Sequence, residues 1–150
     1  MINKKIMSKL LILLLFALVQ SIDLKGKQVY DLLKMKALQN GVYEINVKVG
    51  DEFYFRFYEN GSIYNGPAWW PTNTNEIPDA LKAEGSEYVG TGFGKMIMLG
   101  AGGYKYYKYK ALKPSTNEIT LKFTGRTGID ILGNRSLAVK VNILPKDKTS

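Results

Sequence analysis

Histidine and cysteine are both absent from this 150-residue sequence, and that absence removes most of the usual enzyme chemistry in one step. Without them there is no imidazole base, no thiol nucleophile, no Ser-His-Asp triad and no ordinary zinc site. A carboxylate pair or a Ser/Lys arrangement remains chemically available, but neither stands in a recognisable motif. The segment "GTGFG" at 90–94 has the look of a phosphate loop, yet no Lys-Ser/Thr and no helical pattern follow it, so it reads as a turn. An enzyme is therefore not expected, and neither is a cofactor or a metal. The run "LGAGG" at 99–103 is different in kind. Residues nearly free of side chains stand between two strand-like segments, as an ordinary turn or as a surface where backbone meets another molecule. The aromatic residues Tyr54, Tyr58, Tyr64, Trp69, Trp70, Tyr104, Tyr106, Tyr107 and Tyr109 either stack on a ligand or fill a pleated, half-buried surface, which is where strands favour them.

The elements that must position these residues show through the alternation of apolar and polar side chains. Period two recurs in "VYEINVKV" (42–49), "EFYFRFY" (52–58), "YKYYKYKAL" (104–112), "EITLKF" (118–123) and "LAVKVNIL" (137–144), each a strand with one buried face. Segments rich in Gly, Asn, Ser and Pro separate them, as turns require. The pattern predicts an all-β domain, a sandwich of two antiparallel sheets. Lys105, Lys108 and Lys110, interleaved with tyrosines, are expected mostly on the outer face. Residues 24–40 fit a short helix or an extended lead-in, and "NEIPDALKAE" (75–84) has room for one helical turn after Pro78. Between Trp70 and Lys95 the periodicity is weak over a long connection, of the kind that carries binding surfaces on rigid scaffolds.

The amino-terminal residues place Lys4, Lys5 and Lys9 ahead of an apolar run from Leu10 to Val19. That run is short for a membrane span, which needs about 20 residues, and its layout is that of a secretory signal peptide cleaved before Ile22, with an uncleaved signal anchor as the rival reading. The expected organisation is a signal peptide over 1–21, a lead-in over 22–40, a single domain over 41–145 and a tail over 146–150. Removing the leader takes away three lysines and lowers the formal charge from +8 to +5. Single lysines spread along strands make a solvated face rather than a nucleic-acid footprint, so neither nucleic acid nor, after cleavage, a membrane is an expected partner. Two glycosylation sequons, at Asn60 and Asn134, become relevant on a secretory route.

Three motifs, taken in order, resemble the chagasin-type (amoebiasin-like) inhibitors of papain-like cysteine proteases. That family carries an Asn-Pro-Thr-Thr-Gly loop with an aromatic-Ala-Trp step after it, then a Gly-x-Gly-Gly loop, then an Arg-Pro-Trp loop. In "SIYNGPAW" here, Gly66, Ala68 and Trp69 match, while Ser62, Ile63, Tyr64 and Asn65 stand where the family has Asn, Pro, Thr and Thr. Gly100, Ala101, Gly102 and Gly103 match the second loop in full, and Arg126 lies within one position of the family's arginine, followed by Thr127 and Gly128 in place of Pro-Trp. The resemblance spans 41–144. It implies a monomeric immunoglobulin-like sandwich whose three loops cluster at one end and dock non-covalently as a wedge over the protease cleft, through Ser62 to Gly66, Gly100 to Gly103 and Arg126. It also implies residence in the secretory pathway, either secreted or in lysosome-like vesicles. The residues leave a second reading open, a secreted β-sandwich module that binds carbohydrate or a surface partner through exposed aromatics. The two separate by geometry: Tyr64, Gly102 and Arg126 gathered at one end favour the inhibitor, a coplanar aromatic patch on a sheet face the binding module.

Overall fold

The computed structural model describes residues 23–38, 40–60, 67–90, 102–126 and 135–147. These form eight strands: β1 (Gln28–Asp31), β2 (Val42–Lys48), β3 (Glu52–Asn60), β4 (Ala68–Pro71), β5 (Leu81–Gly90), β6 (Gly102–Ala111), β7 (Ile119–Arg126) and β8 (Arg135–Leu144). A single 3-10 turn, Thr74–Glu76, stands between β4 and β5. One sheet has the order β1-β3-β6-β5 and the other β2-β8-β7-β4; the two pack as the sandwich that the alternating pattern predicts, in the immunoglobulin-like form that the resemblance implies. Pairing is antiparallel except at one edge of each sheet, where β1 runs parallel to β3 and β2 parallel to β8.

The alternation translates directly into burial. Phe53, Phe55 and Phe57 on β3 face Phe123 and Leu121 on β7 and Val139 and Val141 on β8, all essentially without solvent contact. Phe55 and Phe57 meet Phe123 with ring centroids 5.4 and 5.0 Å apart. Burial on this scale lets a domain stand without disulfides.

Three elements differ from the sequence expectation. Within the stretch read as a lead-in, residues 28–31 are strand β1 of the first sheet and Leu32 is fully buried, so this part of the chain belongs to the sandwich. The turn of helix precedes Pro78 rather than following it. The long connection after Trp70 contains a ten-residue strand, β5. Its periodicity is hidden by a β-bulge: the register against β6 jumps between Ala83 and Ser86, with Gly85 at φ +101°. Leu81 and Ala83 face the core before the bulge, Ser86 and Tyr88 share the register of core-facing β6 residues after it, and the parity of the pattern inverts.

Candidate functional site

Strand directions bring the connections of interest to one end. Asn60 closes β3 opposite Gly102, which opens β6, while Gly90 closes β5 opposite Gly103. In the second sheet Ala68, the first residue of β4, pairs with Arg126, the last of β7, and Gly125 pairs with Arg135 at the start of β8. The connections 61–67, 91–101 and 127–134 therefore all run between strand ends that the register places side by side within each sheet. The parallel edge strands bring the β1–β2 connection to this end as well.

Side chains join the two sheets there. Trp69 is buried and stacks on Phe57 at 5.6 Å and 17°. Its backbone N–H donates a long hydrogen bond to Glu59 Oε1 (3.4 Å), and its carbonyl accepts one from Tyr107 Oη (2.5 Å). Glu59 thus occupies the inward position that follows Phe57 on β3, at the mouth of the core, half-buried. Burial pushes its carboxyl above the usual range, while the Trp69 N–H and the charges of Lys105 and Arg126 pull it part of the way back. Burial, with Glu59 nearby, pushes the Tyr107 phenol up to about 12 and raises that of Tyr88. Lys105 shares this inward register, unlike Lys108 and Lys110, so the expectation of an outer face does not hold for it. Of the residues the sequence singled out, Gly102, Gly103 and Arg126 lie at this end. Ser62, Ile63, Tyr64, Asn65, Gly66, Gly100 and Ala101 lie outside the described residues.

Gly102 and Gly103 belong to strand β6, and neither has a positive φ. Glycine is required there for space. A Cβ on Gly102 would lie 1.9 Å from Tyr58 Oη, and one on Gly103 would lie 2.5 Å from Tyr88 Oη and 2.5 Å from the Val89 carbonyl. Both tyrosines lie diagonally across the strand pair and cover the bare backbone. Tyr58 and Tyr88, both exposed, together with Glu59, Lys105 and Tyr107, are the residues at this end that the motif comparison missed. A signal was present: Glu59 and Lys105 are charged residues at positions where period two points inward.

The outer face of the first sheet was the competing surface. Its aromatics are not coplanar: Tyr54 and Tyr106 meet at 82° and Tyr58 and Tyr104 at 75°. Tyr54 and Tyr106 are themselves buried, and Arg56 covers the Tyr104 ring at 4.7 Å while pairing with Asp31 at 3.1 Å. A depression of about 450 Å³ beside them is crossed by the ion pairs of Lys108 with Glu52 and Glu84 and of Lys27 with Glu52. Among the described residues of this face Tyr58 alone is an exposed ring, and it stands edge-on to Tyr104, so no coplanar aromatic platform is presented there.

No family model and no curated protein matches the sequence. Among solved structures, amebosin superposes at a TM-score of 0.52 with 16% identity, over 79% of this chain and 98% of its own. The cysteine protease inhibitor EhICP2 from Entamoeba histolytica superposes at 0.51 with 17% identity, over 78% of this chain and 95% of its own. At these identities the likeness is one of fold.

Proposed function

We propose that this chain is a reversible, non-covalent inhibitor of papain-like cysteine proteases. The observation that carries the reading is the common origin of three connections, 61–67, 91–101 and 127–134, whose flanking strand ends surround Glu59 and Trp69. Strand ends held side by side by two packed sheets fix where all three connections begin and end, which limits the ordering that docking must supply, as tight protease–inhibitor association requires. The fold likeness to EhICP2, a cysteine protease inhibitor, supports the same reading.

In this mechanism the central loop, Ser62 to Gly66, covers the catalytic cysteine, with Ile63 and Tyr64 as apolar anchors in the cleft. The run Gly100 to Gly103 flanks it on one side and Arg126 on the other. At Gly102 and Gly103 the surface offered includes the tyrosine rings that cover them. No bond is made or broken, so the chain needs no catalytic residue of its own. The leader over 1–21 directs the inhibitor into the secretory pathway, to the outside or to lysosome-like vesicles. The test is titration against papain, where stoichiometric, reversible inhibition is expected. Truncating anchors of this kind costs about 2 kcal/mol or more. The double change Ile63→Ala, Tyr64→Ala should then raise the inhibition constant by at least about thirtyfold. A parent protein that leaves papain active, or a double variant that inhibits equally well, would overturn the reading.

A further inference from the structure

We propose that Glu59 is the positioning residue of the loop end, tying the two roots of the central loop together through its bond to the Trp69 N–H, with Lys105 and Arg126 of the neighbouring roots facing its charge. The consequence for inhibition rests on the reading above; the geometry does not. Glu59 follows Phe53, Phe55 and Phe57 on the inward face of β3, where an apolar side chain would fit the core without a desolvation cost. Its bond to Trp69 spans ten residues and closes the whole central connection. Strand β4 is only four residues long and pairs with β7 alone, so its place against the first sheet depends on such side-chain contacts. With Tyr107 on the Trp69 carbonyl, both backbone groups of one residue are held by side chains from the opposite sheet.

The groups facing Glu59 are Lys105 and Tyr107 of β6, Tyr88 of β5, Arg126 of β7 and the Trp69 N–H of β4, with Tyr58 beside it on its own strand. Two effects of opposite sign follow. Because burial raises the carboxyl above its unfolded range, the stability it contributes is fully present below the unfolded pKa and is lost as pH rises through the folded one. The tie behaves in reverse, since a proton on Glu59 removes the charge that faces Lys105 and Arg126 and weakens the acceptor of the Trp69 N–H. Acid should therefore stabilise the wild-type fold relative to a non-titrating variant while loosening the loop roots. A merely structural side chain would move both in the same direction.

The experiment compares wild type with Glu59→Gln, which keeps the shape and cannot titrate, between about pH 4 and pH 7.5 around the carboxylate range. In amide NMR of the free protein, the Trp69 signal should shift with pH in wild type and stay flat in the variant. Against papain, the ratio of the two inhibition constants cancels the enzyme's own pH dependence. That ratio should show the variant about tenfold weaker near neutrality and converge toward one in acid, in step with the Trp69 titration. A Trp69 amide that ignores pH, or a ratio that stays constant, overturns the proposal. If neither protein inhibits papain at any pH, the inhibitor reading fails, and the amide titration still decides whether Glu59 holds β4.

Discussion

Three glycines at the loop end are held by space, and the space differs at each. A Cβ on Gly102 meets the tip of Tyr58, an exposed ring that can swing into solvent. On Gly103 it meets the Val89 carbonyl, which moves only if the β5–β6 pairing moves. On Gly125 it would lie 2.2 Å from the ring of buried Trp69 and 2.6 Å from the Ala68 carbonyl. Overpacking a tight site costs about 1–3 kcal/mol, so alanine should destabilise in the order Gly102, Gly103, Gly125, with Gly125→Ala at or above the upper end. Urea denaturation of the three variants checks the order; equal losses would mean that the rings do not set it. At this scale the sequence marked Gly102 and Gly103 for the absence of side chains, and the structure adds that neither has room for one. Which tyrosines lie over them depends on strand register, which residue identity alone does not carry.

Strands β4 and β5 are edge strands, and edges need protection from pairing with other chains. Strand β4 stops at Pro71, leaving part of β7 beyond it, and Asn73 takes over. Its Nδ2 donates to the Thr120 carbonyl at 2.8 Å and its Oδ1 accepts from the Lys122 N–H at 2.9 Å, so one side-chain amide continues the ladder. Asn73→Ala should cost about 1–2 kcal/mol for two lost bonds and raise the tendency to aggregate, read by thermal unfolding and light scattering. An Asn73→Ala protein that melts and scatters like wild type would show that water serves this edge equally well. Strand β5 escaped the sequence pattern because its bulge inverts the alternation halfway along, and β1 and β4 because four residues are too few to establish a period.

For the whole molecule, alternating strand direction across two sheets places the connections leading into β2, β4, β6 and β8 at the end where Glu59 sits. Strand β1 and Leu32 carry the sandwich well before Gly41, so little chain separates it from the expected cleavage site. Intact-mass analysis of protein from a secreting host should find Ile22 at the amino terminus; a retained Met1 would refute the leader. Taken alone, the sequence determined that thiol and imidazole chemistry are unavailable and that five strands bury one face each, because composition and period-two alternation are local properties. Its resemblance to a family also singled out a central loop and a glycine run as the expected points of contact of the proposed function. The tertiary structure alone decided that Glu59 bonds the Trp69 N–H within the field of Lys105 and Arg126, that Tyr58 and Tyr88 cover the glycines, and that the outer-face tyrosines are tilted against one another. Those juxtapositions join residues up to tens of positions apart through strand register and sheet packing, and no pattern within a single strand records which strand lies opposite.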